Sequence, residues 1–156
     1  MKTNTHDIEE ARALCAVYGK WTAALSRLIR NGFWPKTPPE AKAQILVNTW
    51  MQTIHPEIMC VHIENEGNKT RWESFVTANN GLRSGMPDVM IYEKRGGCIG
   101  CALELKIYPS LPTKNQEATI EMLNQRGWAT GVIREDTAGK LFDATISAIN
   151  SYLKLP

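Results

Sequence analysis

The sequence predicts a mixed α/β layer fold, on three observations. The chain reads as helix, three strands, helix, strand and helix, an order that packs helices against a sheet. Two apolar runs, "DVMIYE" and "IGCALELKI", bracket Arg95-Gly96-Gly97, a turn signal that makes them a hairpin. Helix boundaries are marked: Thr37-Pro38 and Thr113 fit helix starts, and Gly127 fits a left-handed helix end.

With 156 residues the chain has one domain's length, and 43% hydrophobic with 22% charged residues suit a packed core. No apolar run approaches the roughly 18 residues of a membrane helix. The opening "MKTNTHDIEEARALC" lacks the apolar stretch of an export signal, which places the chain in the cytoplasm. Four cysteines in that compartment read as free thiols. The net charge of +2 leans only weakly toward an acidic partner, but its distribution says more. Arg12, Lys20, Arg27, Arg30, Lys36 and Lys42 crowd the first third, and Lys69, Arg71, Arg83, Lys94 and Arg95 flank the hairpin. A basic surface around a buried acidic centre suits a polyanion plus a metal; the plainer alternative is a solvated helix face.

Residues 7–18 place Ile8, Ala11, Cys15 and Tyr18 near helical spacing, and 21–31 continue with Leu25, Leu28 and Ile29 before Asn31-Gly32. The pair is either a helix-turn-helix or one bent packing helix. "NGFWPKTPP" marks a boundary. The next helix has Thr37 as N-cap, Pro38 at its first position and Glu40 three residues after the cap, and it runs to Ile54, where His55-Pro56 ends it. "IMCVHIEN" is the first strand. "NEGNKTRWESFVTANNGLRSG" is a polar loop with room for a short helix over 71–78. Strands follow at 88–93 and 99–107, then a helix from Thr113 to Arg126, the strand "WATGVI", and a last helix over roughly 142–153.

Pairing centred on Gly96 puts Asp88 opposite Glu104. Glu104 and Lys106 then share one strand face, and Leu103 and Leu105 the other. Two acids and one amine therefore meet at one corner of the sheet. Opposed carboxylates repel and are costly to bury unpaired. A divalent cation such as Mg²⁺, which takes carboxylate, phosphate and water oxygens, removes that objection. Lys106 would then orient or deprotonate a water, or stabilise charge on a phosphate. The alternative is an exposed cluster that ties the hairpin together.

"MPD" followed by "ELK" is similar to the signature of the PD-(D/E)XK nuclease superfamily. More narrowly, the ordered set "HIENEG", "GLRSGMPDVMIY", "ALELK" and "NQEATIEMLNQRGWATGVI" resembles the virus-type replication-repair nuclease (VRR-Nuc) domain, most strongly from His62 to Ile133. The resemblance implies a restriction-endonuclease-like core with a mixed central sheet flanked by helices over residues 36–156, after a helical extension at 1–35. It implies a metal-dependent endonuclease on double-stranded or branched DNA, using Mg²⁺ or Mn²⁺. Asp88 and Glu104 become metal ligands, with the Leu105 carbonyl as a further one, and Lys106 becomes the catalytic lysine. Lone-domain members of this kind are mostly phage or bacterial, and are expected to resolve branched DNA such as a four-way junction as homodimers. The chain departs from the family at Glu64, where a proline is usual, and residues 1–35 have no matching counterpart.

Other residues carry two readings each. Glu40 lies about 20° around its helix from Val47 and Met51. It either reaches the metal corner, where this superfamily often has an acid, or closes a capping box with Thr37. Gln116 follows Thr113 by three and is likewise a cap residue, a site residue, or both. Glu66 binds metal or solvates a turn. Lys69, Arg71 and Arg83 are candidate DNA contacts, and Trp72 a candidate stacking residue. Cys98 and Cys101 point to opposite strand faces, which leaves Cys101 a core residue and Cys98 a thiol at the hairpin tip. His62 is either a hydrogen-bonded structural imidazole or a DNA contact. Against the junction-resolving reading stand a flap or nicking endonuclease acting as a monomer, and a non-catalytic DNA-binding module on a nuclease fold.

Overall fold

Helices whose apolar positions recur at helical spacing build most of the core in the computed structural model, which describes residues 23–63 and 83–156. The expected helix at 7–18 and the loop bearing Glu66, Lys69, Arg71 and Trp72 lie outside the described residues. Helix α1 spans Ala23–Arg30, and a 3₁₀ turn at Trp34–Lys36 sinks Trp34 into the core at 2% exposure. Helix α2 spans Pro39–Ile54 and buries Ala43, Leu46, Val47, Trp50 and Met51, a stripe spaced by threes and fours. The last helix, α4, spans Ala138–Leu153 and buries Leu141, Phe142, Ile146, Ile149 and Tyr152. It begins earlier than expected because the Thr137 hydroxyl accepts from Lys140 N, a cap that hydrophobic periodicity alone does not reveal.

Four strands make the sheet: β1 (Cys60–Val61), β2 (Val89–Ile91), β3 (Gly100–Ile107) and β4 (Trp128–Glu135), in that spatial order. β2 is antiparallel to both β1 and β3, and β4 is parallel to β3. Helix α3, Lys114–Gln125, makes the crossover from β3 to β4. β1 and β2 are shorter than expected; among the described residues of "IMCVHIEN", Cys60 and Val61 are those that pair with β2. Helices α2 and α4 pack with Val89, Ile91, Leu103 and Leu105 on one face. Leu123 of α3 packs on the other face with Met90 and Ala102. These strand directions gather the ends of β1, β3 and β4 and the start of β2 along one rim.

The hairpin register is the expected one, reached by an unexpected route. Val89 pairs with Leu103 and Ile91 with Cys101, so the ladder continues to place Asp88 across from Glu104. At the tip, however, Arg95 bridges Cys98 across Gly96-Gly97, whose φ values of 54° and 80° fit a two-residue turn with both central residues left-handed. Four steps separate Ile91 from Arg95 and three separate Cys98 from Cys101. The extra residue at 92–94 absorbs the one-residue offset.

Candidate active site

Asp88, at the entrance to β2, is 7% exposed, Glu104 0% and Lys106 8%. Their burial follows from position: Glu104 and Lys106 project from a central strand toward α3, while Leu103 and Leu105 face the main core. Asp88 Oδ2 accepts from Leu105 N at 2.9 Å, which ties β2 to β3 beyond the paired residues. The approach to Asp88 depends on Gly85, whose φ is +79°. A side chain there would put Cβ 2.8 Å from the Asn115 backbone, so only glycine lets "GMPD" pass this close to the start of α3.

Lys106 Nζ lies 2.6 Å from Glu104 Oε1 and 3.3 Å from Glu40 Oε1, and donates to the Leu105 carbonyl at 3.0 Å. Glu40 arrives from the first turn of α2 because the expected Thr37–Glu40 capping box does not form. Pro38 occupies the N-cap, and the Thr37 hydroxyl donates to the Phe33 carbonyl instead. Gln116 takes both of its roles together. Its Oε1 accepts from Thr113 N and its own N–H donates to Thr113 Oγ1, while its Nε2 donates to Glu104 Oε1.

The electrostatics are those of a crowded acidic corner. Burial, then the nearby Asp88 charge, pushes the Glu104 carboxyl up to about 7. Burial also raises Asp88, aided by the Glu40 charge and opposed by the Leu105 N–H and Lys106. Burial alone would lower Lys106, but its hydrogen bond to Glu104 and the surrounding carboxylates reverse this and raise it. Lys106 thus offsets part of the charge of the two central acids, and His62 acts the same way on Asp88.

Whether a metal fits can be judged from the donors. Glu104 Oε2 is buried without a hydrogen-bond partner among the described residues, an expensive state for a carboxylate oxygen. Asp88, Glu104 and the Leu105 carbonyl offer the hard oxygens that Mg²⁺ takes. Among the described residues no three His, Cys, Asp or Glu side chains form a cluster able to hold a metal by themselves. Mg²⁺ commonly sits on one or two carboxylates and keeps water and substrate oxygens in its shell.

Of the other candidates, Arg83 is exposed ahead of Gly85. Glu66, Lys69 and Arg71 fall outside the described residues. His62 Nδ1 lies 2.8 Å from the Asp88 carbonyl oxygen and so donates to it. Cys101 is buried, Cys98 half-buried, and both are free thiols. The sequence puts Gln44 on the same helix stripe as Glu40 without giving it a role, and sequence reasoning missed Asn48; both line a recess with His62 and Asp88, one and two turns after Glu40 on α2.

No family model and no curated protein matches the sequence. A solved structure described as a VRR_NUC domain protein does match, with a TM-score of 0.60 and 26% identity over 76% of this chain and 91% of that one. The mixed sheet and flanking helices are those of that neighbour.

Proposed function

We propose that this chain, whose fold is that of a VRR-Nuc nuclease domain, is a metal-dependent endonuclease that hydrolyses phosphodiester bonds in branched DNA. The observation that carries the metal dependence is the buried Glu104 Oε2, without a partner among the described residues, on a carboxylate close enough to Asp88 to feel its charge. Asp88, Glu104 and the Leu105 carbonyl would hold the ion, with Glu66 as a further candidate. When bound, Mg²⁺ or Mn²⁺ supplies charge neutralisation and Lewis acidity at the scissile phosphate.

The chain's own residues do the rest. Lys106 stands within reach of the Glu104 and Glu40 oxygens and can hold or move a proton at the attacking water, or donate to a phosphate oxygen. Glu40 gives the ammonium a second carboxylate partner, which would keep it at the rim if Glu104 bound a cation instead. Gln116 fixes one oxygen of Glu104 and so sets where the other points. Lys69, Arg71 and Arg83 are proposed phosphate contacts. Selectivity for branched DNA and action as a homodimer rest on the resemblance and on symmetry, since two matched cuts in a four-way junction suit a two-fold pair.

The test is cleavage of linear, flap and four-way DNA with MgCl₂ and with EDTA. Cleavage that needs the cation and vanishes in Asp88→Asn is the expected result. Full activity in EDTA, or in that variant, would overturn the metal-dependent reading. Equal rates on all three DNAs would overturn branch selectivity.

A further inference from the structure

Beyond Lys106 the rim carries an exposed patch that the proposed chemistry leaves unused. Tyr108 and Leu111, in the loop that leaves β3, are 64% and 65% exposed, and Val132 on β4 is 42% exposed. The Arg134 guanidinium lies 4.7 Å from the centre of the Tyr108 ring and donates to the Pro109 carbonyl at 2.9 Å. Arg134 is also the ladder partner of Lys106. One strand spacing, about 4.8 Å, separates their backbones, and paired residues leave a parallel ladder on the same face.

An aromatic ring with a cation held against it, both at the surface, matches the two parts of a nucleotide. The ring offers a stacking surface to a base, and the guanidinium offers planar donors to a phosphate. We propose that Tyr108 and Arg134 form a subsite for one unpaired nucleotide beside the scissile phosphate. This rests on the nuclease reading and adds the feature of the substrate that is read. Bases inside a duplex are already stacked on their neighbours and must be extruded at an energetic cost before a side chain can take their faces. The subsite therefore selects DNA with a single-stranded step at the cut, such as a flap, a gap or an open junction arm. Charge favours nucleic acid over a second copy of the chain. A two-fold contact centred on this patch would press Arg134 against its own symmetry copy.

The experiment uses the Asp88→Asn protein at fixed salt. Its affinity is measured for a plain duplex and for the same duplex with a single-stranded flap carrying 2-aminopurine at the branch. The flap should bind more tightly and its fluorescence should fall on stacking. Tyr108→Ala should weaken flap binding about 5- to 150-fold, the range of one lost base stack, leave duplex binding unchanged and abolish the quench. Tyr108→Phe should retain both. Equal weakening on the two DNAs, or none, overturns the subsite. Sedimentation showing a dimer that Tyr108→Ala splits would make the patch a protein interface, which also overturns it. If wild-type protein neither cleaves nor binds any DNA, the nuclease reading itself fails and takes the subsite with it. Normal cleavage with insensitive Tyr108 variants removes the subsite alone.

Discussion

Glu104 should make the metal-free protein lose stability as pH rises. Its side chain is 0% exposed, and burial with the Asp88 charge moves its pKa from 4.5 up to about 7. In the unfolded chain the carboxyl regains its ordinary value. Between those values the folded state keeps a proton that the unfolded state has released. The stabilisation is therefore full below the unfolded value and lost as pH climbs through the folded one. A gap of about 2.5 pH units, at about 1.4 kcal/mol each, corresponds to roughly 3–4 kcal/mol. Asp88, also raised, acts in the same direction. Urea unfolding in EDTA at pH 5, 6, 7 and 8 measures the effect. The wild-type midpoint should fall across the series, and most of that slope should disappear in Glu104→Gln, whose side chain cannot ionise. Added MgCl₂ at pH 8 should lift the wild-type midpoint but not that of the variant, since a cation held only by the folded state stabilises it. A midpoint that is flat or rises from pH 5 to 8, or a variant that keeps the whole slope, would refute the reasoning.

Asp88→Ala should destabilise the metal-free protein by about 1–3 kcal/mol more than Asp88→Asn, because alanine strands the buried Leu105 N–H and asparagine retains an acceptor; chemical denaturation at pH 5 compares them, and equal midpoints would count against it. Lys106→Met keeps the aliphatic stem but removes the ammonium, so single-turnover cleavage should slow by about 10²- to 10⁴-fold, while Mg²⁺ binding by calorimetry persists; a wild-type rate would make the lysine structural. Gly85→Ala combines a left-handed φ with a clash against the Asn115 backbone, and should cost about 1–3 kcal/mol in thermal unfolding; an unchanged melting temperature would show that the loop yields there.

How much of this was legible in the sequence depended on the range of the interactions. The α/β order and the Asp88–Glu104 opposition were readable, because strand alternation and the glycine turn are local. Even so, the register came out right only because an extra residue at 92–94 offsets a tip paired between Arg95 and Cys98. Two capping-box patterns, Thr37-x-x-Glu40 and Thr113-x-x-Gln116, look alike in sequence. Only the second forms. The partner that takes Glu40 is Lys106, far along the chain, and no local pattern reports it. Arg134 against Tyr108 escaped notice for the same reason: the two meet across neighbouring strands, and neither stands in a motif.

Gln116 joins two properties that are separate in most side chains. The same amide begins a helix and aims a carboxylate. Fraying of the first turn of α3 would remove one of the two groups that hold Glu104 Oε1 and leave Lys106 alone there, so the pose of the acid inherits part of the thermal behaviour of a helix end. A replacement at 116 that preserves the cap but not the amide nitrogen would leave a stable fold with an acid aimed by Lys106 only. One that preserves the nitrogen but not the oxygen would leave the acid aimed from an unanchored helix. Only a side chain that presents an acceptor and a donor at once meets both demands, and glutamine has the reach for both.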